Sequence, residues 1–169
     1  MEKLINPFLI IVFAVLLRIV PHAPNFAPIA AMALFGGAYL NKKYALIVPL
    51  IAMFLSDIFL GFHSAMPYVY GSFLLIGLMG IWLSKHKNLK NVLLATFFSS
   101  ILFFLITNFG VWLGGNLYSK DLPGFIKCYI LALPFFRNTI LGDLFYVGLF
   151  FGSYELAAKI LKKPAIAKG

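Results

Sequence analysis

The sequence is short of charge. Of its 169 residues only 11% are Asp, Glu, Lys or Arg, against roughly 25% in an ordinary soluble domain. Acidic residues are the scarcest, 5 in all. A soluble fold of this size needs a polar shell that so few charged groups do not supply. Soluble enzymes, coiled coils and disordered tails are thereby excluded. Cysteine is nearly absent too: Cys128 stands alone, which excludes an internal disulfide framework and any cysteine-based metal motif. It reads as a small buried hydrophobe. Also missing are the Walker A lysine motif, the dinucleotide glycine fingerprint, the nucleophile elbow and the zinc-protease helix. The chain carries no signature of ATP hydrolysis, and the expectation is a protein that is not an enzyme and needs no cofactor or metal.

What the sequence has in abundance is apolar side chain: 62% of residues are hydrophobic and 17% aromatic. They come in long blocks rather than amphipathic stripes, the pattern of an all-α polytopic membrane protein. About 20 residues of helix cross a hydrocarbon core roughly 30 Å thick. The blocks place spans at about 6–20, 28–40, 44–62, 67–84, 91–113 and 135–161, in one domain covering 1–169. The first could pass for a signal peptide, but Arg18 and Pro21 stand where a small-residue cleavage site belongs, so an uncleaved helix is expected. Between the last two spans, Gly124–Leu133 is bounded by Pro123 and Pro134 and is too short to cross; it reads as a separate short helix at the interface.

The net charge of +9 would point to nucleic acid in a soluble protein. Here six spans put Lys3, Lys42, Lys43, Lys85, Lys87, Lys90, Lys159, Lys162, Lys163 and Lys168 on one side, and only Lys120 and Lys127 on the other. Such a bias marks the cytoplasmic face, with both termini inside. The partner it implies is the lipid bilayer of a bacterial cytoplasmic membrane, not nucleic acid.

With the orientation set, the remaining polar groups fall at one depth, near the outer ends of the helices. They are Arg18, His22 and Asn25 around the end of the first span, Asp57 and His63 at the third, Asn108 and Trp112 at the fifth, and Arg137, Asn138 and Asp143 in the sixth. Ionisable groups inside a membrane are costly and usually face the bundle interior, so these ten form a candidate solute-binding cavity. Arg18 and Arg137 would hold anionic or carbonyl groups, Asp57 and Asp143 cationic or donor groups, and the amides neutral ones. The competing reading makes Arg18–Asp57 and Arg137–Asp143 buried structural ion pairs in an assembly protein; a small membrane enzyme with an Asp57 or Asp143 acid–base pair is a third. Two loop histidines do not make a metal site. Thr139, Asp143 and Tyr146 share a face of the sixth span, as do Thr96, Ser100 and Thr107 of the fifth. Glu155 can pair with Lys159 one turn on. Ala33 and Gly37 form a small-xxx-small pair able to dock a helix of this chain or of a partner.

Two stretches are distinctive: Arg18-Ile19-Val20-Pro21-His22-Ala23-Pro24-Asn25-Phe26-Ala27-Pro28 and Leu55-Ser56-Asp57-Ile58-Phe59-Leu60-Gly61-Phe62-His63, with Ala33-Leu34-Phe35-Gly36-Gly37 between them. They resemble a family of small, uncharacterised bacterial integral membrane proteins described as transport proteins. More distantly, the layout is similar to the substrate-binding S components of energy-coupling factor (ECF) vitamin transporters. That resemblance implies a membrane-embedded subunit taking up a small polar or vitamin-like solute from the outer face. It also implies a transmembrane coupling protein and ATPases as partners that supply the energy.

Overall fold

The computed structural model describes residues 7–161. They form six helices: α1 (Pro7–Ile19), α2 (Ile29–Tyr39), α3 (Lys42–Leu60), α4 (Met66–Leu83), α5 (Leu89–Gly114) and α6 (Leu122–Leu161). Among the described residues there is no strand. The first five lie within two residues of the spans expected from the apolar blocks; Asn6, Lys3 and the lysines at 162, 163 and 168 lie outside the described residues. Four helices, α3 to α6, are long and apolar enough to cross a membrane. The packing is that of a membrane protein. Large apolar side chains such as Phe54, Ile58, Leu78, Phe98 and Phe145 are exposed, while Ser56, Asp57, Thr96, Ser100 and Asp143 are buried.

α2 is the hub. It has 11 residues, about 17 Å of helix, and every one from Ile29 to Gly37 is buried. It touches all five other helices. Its closest neighbour is α4, and small residues set that distance: a methyl group added at Gly37 would lie 2.5 Å from the Gly77 carbonyl oxygen and 2.6 Å from Gly80 Cα. The Ala33/Gly37 pair therefore docks within the chain.

One expectation is overturned. Residues 124–133 are not a separate interfacial helix but the beginning of α6, which runs unbroken for 40 residues through Pro134. Proline removes one backbone donor and crowds the preceding turn, yet membrane helices tolerate it where a neighbour supports the freed groups. Here the segment lies along α5: the Tyr129 hydroxyl donates to the Leu105 carbonyl at 2.7 Å, Cys128 Sγ reaches the Asn108 carbonyl at 3.5 Å, and Phe125 meets Trp112 edge-on at 5.3 Å. The loop before it is capped locally, because Asp121 Oδ1 accepts from Ser119 Oγ and from the Gly124 backbone N–H.

The two ends of the bundle differ in kind. At one, the α2–α3 junction, the α4–α5 loop and the end of α6 come together. Tyr39 Oη donates to Glu155 at 2.6 Å, Lys87 pairs with the same carboxylate at 3.0 Å, and the Lys87 ammonium sits 4.0 Å over the Tyr39 ring. Glu155 thus pairs across helices with Lys87, not with Lys159 on its own. Beneath this clasp Phe35, Tyr39, Phe151 and Tyr154 stack against one another. The opposite end is open.

Candidate functional site

At the open end the helices enclose a cavity of about 500 Å³. All six contribute a wall, and the short α2 supplies the floor with Ile29 and Ala30. The walls are mostly apolar, with Phe73, Phe103 and Phe135 among them.

Arg18 enters from the last turn of α1. Its Nη1 makes a 2.7 Å ion pair with Asp57 Oδ1 and donates to Ser56 Oγ at 2.6 Å and the Met53 carbonyl at 3.1 Å. The other Asp57 oxygen accepts from the Tyr70 hydroxyl at 2.7 Å. Asp57, 1% exposed, is therefore held behind Arg18, away from the cavity surface. The Nε and Nη2 groups of Arg18 bond to none of the described residues. With 16% of its side chain exposed, Arg18 presents those donors to the cavity.

Across from it, Asp143 projects from α6. It is 3% exposed and lines the cavity. Its Oδ2 accepts from Ser100 Oγ at 2.7 Å, and no salt bridge reaches it among the described residues. No buried polar side-chain atom among those residues lacks a partner, so the remaining Asp143 oxygen opens onto the cavity. Thr139 shares this wall one turn away, and its hydroxyl is spent on the Phe135 carbonyl.

The rim is the α1–α2 loop. Ala23 accepts from the Phe26 N–H at 2.9 Å, with proline at position 24 and Asn25 at φ +63°. That is the pattern of a type II turn, for which asparagine at the third position is suited. The loop is fastened to α6 by Asn138 Nδ2 donating to the Pro24 carbonyl at 3.1 Å. Gly142 helps, since a methyl there would sit 3.0 Å from Phe26 Cα. His22 and His63 flank the mouth, both exposed.

Of the ten residues expected at the site, Arg18, His22, Asn25, His63, Asn108 and Asp143 line the cavity. Asp57 backs Arg18. The other three do not line it. Trp112 donates from Nε1 to the Ser119 carbonyl at 2.9 Å, fastening the α5–α6 loop together with Lys120. Asn138 holds the rim loop, and Arg137 is exposed on α6. The Arg137–Asp143 pair is not formed, because six residues of helix turn them about 120° apart. Sequence reasoning did not assign Thr107, Phe103 and Phe135 to the wall, although Phe135 and Thr139 stand two turns and one turn from Asp143 on one face. Tyr70 and Ser56 were likewise not placed as partners of the Arg18–Asp57 pair.

No curated protein matches this sequence, and no solved structure does either. A family model described as "Family of unknown function (DUF6580)" matches residues 1–166, and the chain belongs to that family.

Proposed function

We propose that this protein is the solute-binding membrane subunit of a bacterial transport system. It crosses the cytoplasmic membrane with six helices, has both ends of the chain on the cytoplasmic side, and takes a small polar metabolite into an outward-facing cavity. The observation that carries this reading is the pairing of one cavity with one end of the molecule. Arg18 and Asp143 face about 500 Å³ of space, while Lys42, Lys43, Lys85, Lys87, Lys90 and Lys159 belong to the opposite, clasped end. The lysine bias orients that opposite end inward, so the cavity faces out. The volume falls within the range of small-molecule sites, and the mix of apolar walls with a few polar groups is theirs as well. Energy would come from other proteins, since the chain has no nucleotide-binding motif; a coupling protein and ATPases of the energy-coupling-factor kind fit this layout.

The test is mass spectrometry of small molecules released from protein purified in mild detergent. The comparison is an Ala30→Phe variant, in which a phenyl ring occupies the cavity floor. A solute present with the native chain and absent with the variant is expected. Identical extracts from two well-folded proteins would refute the reading.

The tightness of the Arg18–Asp57 cluster favours one rival, a structural or assembly protein whose charges only brace the bundle. In that case exchanging the pair, Arg18→Asp with Asp57→Arg, restores expression and no solute co-purifies.

A further inference from the structure

The charges in the cavity do not cancel. The Arg18 guanidinium is already matched by Asp57 at 2.7 Å, so that pair contributes close to nothing at a distance. Asp143 has a hydroxyl partner in Ser100 and no cation among the described residues. On formal charges with the histidines neutral, Asp143 is the one carboxyl on the cavity wall that no cation among the described residues balances. The helix dipoles do not reverse its sign. α2, α4 and α6 begin at this end, while α1, α3 and α5 finish there, and termini of opposite polarity offset one another. Arg137 is exposed on α6 and does not line the cavity. The same cavity is lined by Phe103 on α5 and, about two and three turns from Asp143 along α6, by Phe135 and Ala132, surfaces that suit an apolar body and, through the rings, a positive charge.

We infer that the cavity is selective for organic monocations, with an ammonium group seated on Asp143 and an apolar body against the α5 and α6 walls. This rests on the solute-binding reading of the cavity and sharpens it. Arg18 is then a neutralised wall group whose free N–H donors meet neutral acceptors of the ligand, rather than an anion hook.

Charge-selective cysteine labelling tests this without knowledge of the natural solute. In a Cys128→Ala background, Thr107→Cys places a thiol on the cavity wall; Val111→Cys is the second position if the first does not fold. Each is reacted with 2-(trimethylammonium)ethyl methanethiosulfonate or with 2-sulfonatoethyl methanethiosulfonate. The cysteine sulfur forms a mixed disulfide and methanesulfinate leaves, so only the reagent charge differs. Rates are divided by those for a small thiol in solution. A lone wall charge in a low-dielectric cleft raises the local cation concentration by about tenfold or more, so the cationic reagent should be favoured by at least that factor. Asp143→Asn, or Asp143→Ser if that variant folds better, should bring the ratio back to about 1, while Asp143→Glu should keep it. Equal rates, a preference for the sulfonate, or a preference that survives Asp143→Asn would overturn the inference while leaving the cavity in place. Failure of both reagents at both positions, with the same thiols reactive once the protein is unfolded, would instead overturn the cavity itself.

Discussion

The α2–α4 crossing offers the sharpest test of the fold, because backbone meets backbone there. In Gly37→Ala the new Cβ would lie 2.5 Å from the Gly77 oxygen and 2.6 Å from Gly80 Cα. An ordinary contact needs about 3.4 Å, and no flexible side chain is available to yield. The two helices must therefore part by about 1 Å. A gap of that size forfeits a quarter to a half of each contact's attraction, at about 0.1–0.2 kcal/mol per atom pair. Over the several dozen atom pairs of such a crossing the loss is about 3 kcal/mol, at the upper end for overpacked cores. For a chain of this length that is a fall in Tm of about 6–12 °C, read by thermal unfolding in detergent. Gly80→Ala, 2.5 Å from the Leu34 oxygen, should cost about as much. The double variant should cost well under the sum, because one separation relieves both clashes. Gly148→Ala and Gly152→Ala, with nothing within 4 Å, are the controls and should leave stability unchanged or raise it by up to about 1 kcal/mol, the helix-propensity gain of alanine over glycine. A native-like Tm for Gly37→Ala, or full additivity in the double variant, would refute the close approach. Because Ile29 and Ala30 at the other end of α2 line the cavity, the same shift should also deform its floor.

Asp57→Asn should destabilise by about 2–4 kcal/mol in the same unfolding assay, since it leaves a largely buried guanidinium without its counter-ion. Arg18→Met with Asp57→Leu should recover at least half of that, and no recovery would show that the cluster's neutral hydrogen bonds dominate. At the α6 start, the Ser119 hydroxyl and the Gly124 N–H hold the Asp121 carboxyl below its ordinary value of 3.8. The folded-state value being the lower one, this cap is complete above the unfolded pKa and is lost as pH falls through the folded one. Hydrogen exchange of the first-turn amides of α6 should quicken on that acid side in the native chain, and should already be fast at pH 7 in Asp121→Ala.

Helix positions were legible because apolar block length and lysine placement answer to the same bilayer, so five of the six helices fall where the blocks put them. Pro134 misled because a proline's effect depends on what packs beside it; in α6 that support comes from Leu105, Asn108 and Trp112 on another helix, which no local pattern reveals. Depth was legible for Arg18 and Asp57, which meet at 2.7 Å, but not for Asp143, which bonds Ser100 and so stands eight residues, about 12 Å of helix, from the level of Asn108 on α5. Which side each residue faces was only partly so. The Thr139–Asp143–Tyr146 face is buried as its spacing required, whereas Arg137 and Trp112 have the right depth and the wrong rotation. Helical phase relative to Asp143 would have separated Arg137 from it. No such rule could have paired Tyr70 with Asp57, a contact fixed by how α3 and α4 cross.

The clasp of Tyr39, Lys87 and Glu155 gives the molecule a direction. Behind the cavity floor lie a helix buried from Ile29 to Gly37 and a plug of five ring pairs around Phe35 and Tyr39, whose mutual preference alone is worth on the order of 5 kcal/mol. Whatever enters such a vessel leaves by its mouth. In this conformation the cavity is a cup and not a pipe, open at one end and closed at its base by rings packed against one another.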